Sequence, residues 1–98
     1  MIRVIYRWHV EPENFEAFKS VWSATTNRIH ESVAGALGSF MLRACERDSE
    51  ILTVAKWESL ASWESFWGNQ NPQEMEEMRK LGTRISADVY DEIGDFTR

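Results

Sequence analysis

Apolar and polar residues alternate along Ile2–Val10. Ile2, Val4, Tyr6, Trp8 and Val10 share one face, and Arg3, Ile5, Arg7 and His9 the other. A period of two predicts a strand, and Ile5 predicts that the second face also has something to bury. After Glu11-Pro12-Glu13 the period lengthens. Phe15, Phe18, Trp22, Thr25, Ile29 and Val33 recur at spacings of three and four, the stripe of an amphipathic helix. Proline and acids suit its first turn, and Gly35 suits its end. Residues 37–46 predict a second strand, Arg47-Asp48-Ser49-Glu50 a polar turn, and residues 51–57 a third strand. The short connection makes these two a hairpin. Ser59 fits the N-cap of a helix carrying Leu60, Trp63, Phe66 and Trp67. Asn71-Pro72-Gln73-Glu74 then predicts a fresh helix start with Asn71 as the cap. Met75, Met78, Leu81 and Ile85 are its stripe, and residues 87–96 predict a fourth strand.

The order strand, helix, strand, strand, helix, strand defines an α+β chain of ferredoxin-like, split βαβ type. Right-handed crossovers place both helices on one face of a four-stranded antiparallel sheet. The other face is left bare, and nothing remains in the chain to cover it. A second copy is the simplest cover, which predicts a homodimer in which two sheets close into a dimeric α/β barrel.

Length, charge and cysteine usage narrow the picture. The 98 residues fit one domain over 1–98. No stretch approaches the ~20 apolar residues of a membrane span, and Met1–Ile5 lacks a signal-peptide layout, so the expected address is cytoplasmic. A net charge of −5 without a basic run argues against a nucleic-acid partner, which needs many phosphate-neutralising cations. One cysteine, Cys45, excludes an intramolecular disulfide and a cysteine metal cage; its expected place is within a strand. His9 and Glu11 could share a strand face as metal ligands, but no third ligand is evident, so no metal is expected.

The aromatic content points to function. Five tryptophans, five phenylalanines and two tyrosines in a chain of 98 residues exceed what a minimal core needs. Large rings leave rigid, shaped walls that suit a flat hydrophobic ligand. Trp8, Trp22, Trp57, Trp63, Phe66, Trp67 and Tyr90 are the candidate substrate-binding residues.

Four stretches then align with a known pattern. They are Tyr6-Arg7-Trp8-His9-Val10 followed by Pro12; Phe18 with Trp22 and Thr25-Thr26-Asn27-Arg28-Ile29; Gly35-Ala36-Leu37-Gly38-Ser39 leading to Leu42-Arg43; and Val54-Ala55-Lys56-Trp57-Glu58-Ser59 with Trp63 and Phe66. Together they resemble the antibiotic biosynthesis monooxygenase family of the dimeric α/β-barrel superfamily, over roughly residues 1–68 plus the last strand. The resemblance implies a ferredoxin-like protomer, a dimer, and a pocket between helices and sheet. Some relatives oxygenate polycyclic aromatic compounds with dioxygen and neither metal nor flavin. Others bind and degrade haem, and others have no established activity. The haem-degrading branch uses a first-strand asparagine, a helical tryptophan and a histidine about ten residues later. Here those positions fall on Tyr6, on Phe66 or Trp67, and near Glu76, so the haem ligand is missing.

The expected function is therefore cofactor-independent monooxygenation of a flat aromatic, polyketide-like or quinone-like molecule, with no cofactor. Such chemistry asks the protein for a dry slot, a base, and stabilisation of the substrate anion. His30, at the edge of the first helix's stripe, is the candidate base. Tyr6 is the candidate hydrogen-bond donor and Arg43 the candidate anion stabiliser. The alternatives are a non-catalytic, stress-related or small-molecule-binding dimer, and a haem-handling relative. An open cavity containing Tyr6, His30 or Arg43 would favour catalysis; one filled by Trp63 and Phe66 would favour binding alone.

Overall fold

The computed structural model describes residues 1–68 and 72–97. Strand β1 (Ile2–His9) is followed by a single 3₁₀ turn (Pro12–Asn14) and helix α1 (Phe15–Ser32). Strands β2 (Ala36–Arg43) and β3 (Glu50–Trp57) form the expected hairpin, and helices α2 (Leu60–Trp67) and α3 (Glu76–Leu81) lead to strand β4 (Thr83–Asp91). The strands form one antiparallel sheet in the order β2-β3-β1-β4, the α+β, ferredoxin-like arrangement the sequence predicts.

The alternation along β1 sorts the two faces. Ile2, Val4, Tyr6 and Trp8 are buried beneath the helices, and opposite them on β3 stand Trp57, Ala55, Thr53 and Ile51. Phe18 and Thr25 anchor α1 to this face. The Ser59 hydroxyl caps α2 by accepting from the Ser62 N–H at 3.1 Å. The capping role expected of Asn71 lies outside the described residues.

The last third of the chain differs from its predicted elements. Gly82 ends α3, its N–H donating to the Met78 carbonyl at 3.1 Å. The chain then passes so close to β1 that a Cβ on Gly82 would sit 2.8 Å from Val10 Cγ2, and only glycine allows that approach. Strand β4 therefore starts at Thr83 and ends at Asp91, rather than spanning 87–96. Ile85 does not continue the Met75, Met78, Leu81 stripe: it is 59% exposed and sits where the β1–β4 register shifts, since Trp8 pairs with Arg84 but Arg7 with Ser86. This one-residue bulge turns Arg84 toward the helices. Strand β2 also ends earlier than predicted, at Arg43, and Cys45 lies exposed beyond it rather than within a strand.

The opposite face is less bare than expected. It carries the exposed Phe40 and Leu42 beside Leu52, Val54 and Ile5, but also Arg3, Arg7 and Lys56. Glu92, just past β4, reaches Arg3 at 2.6 Å and Lys56 at 4.0 Å. Val54 is buried within the chain itself. No helix among the described residues is long and apolar enough to cross a membrane.

Candidate functional site

A cavity of about 50 Å³ lies between the helices and the sheet. Tyr6 of β1 and Thr53 and Trp57 of β3 form its floor, Trp22, Thr26 and His30 of α1 one wall, and Phe66 of α2 with Met75 and Met78 the other. A second bulge shapes the β2 side. Ala36 pairs with Trp57 and Ser39 with Ala55, so three steps along β2 oppose two along β3. The extra residue lets Ala36 and Ser39 face the same cavity despite their opposite parity.

Several polar groups that line this space are hydrogen-bonded to one another or to the rings behind them. Trp63 donates its indole N–H to the Tyr6 hydroxyl oxygen at 3.0 Å, and Trp8 donates to Thr53 Oγ1 at 3.1 Å. Trp22 donates to Ser39 Oγ at 3.1 Å, and the Ser39 and Thr26 hydroxyls lie 2.9 Å apart. Burial pushes the Tyr6 hydroxyl up to about 12, overcoming the Trp63 hydrogen bond and the nearby Arg84 charge, which both lower it. Tyr6 is therefore neutral at ordinary pH. Its oxygen accepts from Trp63, and among the described residues nothing accepts its proton.

The residues singled out in the sequence fall at three depths. Tyr6, Trp22, Trp57, Phe66 and His30 line the cavity. His30 is exposed at the rim, 3.9 Å through Nδ1 from where a Gly38 Cβ would sit. Trp8, Trp63 and Trp67 do not reach the cavity. Trp8 is fully buried, edge-on to Phe18 with ring centres 5.1 Å apart. Trp63 and Trp67 stack on each other at 5.2 Å under α2, and Trp67 lies 5.5 Å from Tyr6 and 4.8 Å beneath the Arg84 guanidinium. They back the tyrosine and do not touch the space in front of it.

Arg43 and Tyr90 stand elsewhere. Arg43 is exposed at the sheet edge, with its guanidinium 4.6 Å over the Phe15 ring. Tyr90 pairs with Arg3 on the opposite face, so the sheet separates it from the cavity. The sequence reading missed Thr26, Ser39 and Thr53 as lining residues. Thr53 carried a usable signal, a polar residue at an inward strand position; Ser39 carried none, because its orientation depends on the bulge. Glu76 is exposed on α3 and does not line the cavity. His9 bonds Glu11 at 2.8 Å, and no group of three metal-binding side chains occurs among the described residues.

A ferredoxin-like sheet roofed by helices, with a small ring-walled cavity over Tyr6, places the chain among α+β proteins of this fold. Residues 1–78 match the antibiotic biosynthesis monooxygenase family, and the chain belongs to that family. Its fold is shared with a candidate antibiotic biosynthesis monooxygenase from Deinococcus radiodurans, at 11% identity and a TM-score of 0.75, covering 100% of this chain and 98% of the other. SnoaB, a cofactor-independent oxygenase from Streptomyces nogalater, is similar at 17% identity and a TM-score of 0.71, covering 99% and 97%. A candidate antibiotic biosynthesis monooxygenase from Chloroflexus aurantiacus gives 14% identity and a TM-score of 0.71, covering 98% and 96%. A search of curated protein sequences finds no match.

Proposed function

We propose that this protein binds a flat aromatic molecule in the cavity over Tyr6 and oxygenates it with dioxygen and no cofactor. The observation that carries this reading is the Tyr6 hydroxyl: buried, neutral, accepting from Trp63, on a residue that lines a space walled by Trp22, Trp57 and Phe66. Family membership and the likeness to SnoaB in fold support it.

In this reading the substrate is a phenol or anthrone. Tyr6 donates to its oxygen and stabilises the anion formed on deprotonation. His30, at the rim, takes the proton. The electron-rich anion then reacts with dioxygen. The ring carbon bonds to dioxygen and, with the proton returned, gives a hydroperoxide. Its O–O bond then breaks as the remaining C–H proton leaves, so that one oxygen stays as a carbonyl, the other departs as water, and the substrate is oxidised to a quinone.

Oxygen uptake with a panel of anthrones and naphthols under air tests the proposal. Uptake that is lost in Tyr6→Phe supports it. Absence of both uptake and binding across the panel removes it. One feature favours a second reading, a non-catalytic binder: a space of about 50 Å³ holds water rather than a ring system. Binding without uptake would select that reading.

We infer further that the exposed Phe40 and Leu42 on the opposite sheet face pack against a second copy, giving a homodimer. A stable monomer by light scattering at micromolar concentration would overturn this.

A further inference from the structure

Trp22 stands between two spaces. On its inner side is the cavity of about 50 Å³. On its outer side is an open groove of about 500 Å³ bordered by Phe15, Lys19, Met41 and Arg43. Trp22 and Ser39 line both. The inner space alone is far below the ~300–1,000 Å³ of small-molecule sites; the groove has the volume but lies open to solvent, and only the inner space offers enclosing ring walls.

What separates them is a half-buried indole held by a short hydrogen-bonded chain, Trp22 Nε1 to Ser39 Oγ at 3.1 Å and Ser39 to Thr26 at 2.9 Å. A half-buried ring on a helix can rotate outward without unfolding its neighbours, at the cost of those bonds.

The groove also carries charge of a sign opposite to the protein's net −5. Lys19 and Arg43 border it against the single carboxylate of Glu16. Among the described residues neither cation is in an ion pair, and Arg43 is held in place over Phe15 at 4.6 Å. A guanidinium stacked over a ring face still presents its N–H fork to a carboxylate.

Building on the aromatic-ligand reading above, we propose that the Trp22 indole is a door latched by Ser39 and Thr26. The joined site behind it takes an aromatic molecule bearing an anionic group. The ring enters beside Tyr6, Trp57 and Phe66, while the anion stays outside with Lys19 and Arg43. This gives Arg43 a binding role that its distance from the inner cavity otherwise denies it.

Stopped-flow tryptophan fluorescence with 1-hydroxy-2-naphthoate and 1-naphthol tests both halves. Ser39→Ala removes the latch and is expected to raise the association rate of both probes about three- to tenfold. Thr26→Val should act in the same direction and substitutes for it if Ser39→Ala folds poorly. The double variant Lys19→Gln with Arg43→Gln should weaken 1-hydroxy-2-naphthoate about three- to tenfold and leave 1-naphthol unchanged. Binding at rates equal to wild type in both latch variants overturns the door. Equal weakening of the two probes in the double variant overturns the anion site. If neither probe binds any of these proteins, the aromatic-ligand reading itself fails and takes this inference with it.

Discussion

Trp63 and Tyr6 are joined by a buried hydrogen bond in which the indole N–H donates to the phenol oxygen across 3.0 Å. The direction of that bond matters. An indole can only donate, so the tyrosine must accept, and its own proton is left for another acceptor. The pair thus fixes the ring and sets the polarity of the cavity floor together. Tyr6→Phe removes the acceptor and leaves a buried indole N–H unpaired. The expected loss is about 1–3 kcal/mol of stability, read by urea unfolding. Affinity for a phenolic ligand should fall with it, whereas Trp63→Phe should cost ligand affinity less, since the Tyr6 hydroxyl remains.

The same tyrosine predicts an alkaline limit to stability. Burial pushes its hydroxyl up to about 12, against about 10 in an unfolded chain. The folded state therefore holds a proton that the unfolded state has lost. This stability is fully present below about pH 10 and disappears as pH rises through about 12, a loss of about 2–3 kcal/mol. Urea midpoints of the wild type should fall across that window. In Tyr6→Phe, referenced to its own value at pH 9, this component of the fall should be absent.

The strands that alternate cleanly, β1 and β3, were legible because one face of each is covered by helices and the pattern records it. The bulges were not legible. One lies between Ala36 and Ser39 and brings Ser39 to Trp22; the other isolates Ile85 and turns Arg84 over Trp67. A bulge shifts parity by one residue, so a period-two reading carried through it points the following side chains the wrong way. The Met75, Met78, Leu81, Ile85 spacing continued a helical period past the real end of α3. What stopped the helix was the fit of Gly82 against Val10 and Phe18, a contact between segments far apart in sequence. Ring content was likewise legible, but depth was not: Trp8, Trp63 and Trp67 sit behind the cavity wall, because burial order depends on how α2 crosses the sheet.

Gly35 is a point where backbone and site are coupled. Its φ of +89° lies in the left-handed region, and a Cβ there would meet Ser62 Cβ at 2.6 Å. Ser62 belongs to α2, which also carries Phe66 of the cavity wall. Gly35→Ala should cost about 2–4 kcal/mol from backbone strain and overpacking together, read by thermal unfolding. A variant that still folds should have α2 displaced outward, with a larger cavity and faster ligand entry. An unchanged melting temperature would contradict the close approach of Gly35 to Ser62.

The sheet face away from the helices gives a prediction about assembly. Leu42 stands opposite Leu52 there and is 49% exposed, with Phe40 alongside at 46%. Glu92 covers only the neighbouring part of this face, through Arg3 and Lys56. Leu42→Asp places a charge in the exposed apolar part without removing a buried side chain, so the protomer should keep its far-ultraviolet circular dichroism and lose little stability on its own. Burying that charge between two sheets without a partner would cost several kcal/mol, enough to shift a micromolar dimer to monomer. Sedimentation velocity should show the wild type at twice the protomer mass and Leu42→Asp at the protomer mass. A wild-type dimer left intact by Leu42→Asp would mean that the copies meet elsewhere. The exposed Ile93 and Phe96 beyond β4 are then the next apolar side chains to substitute.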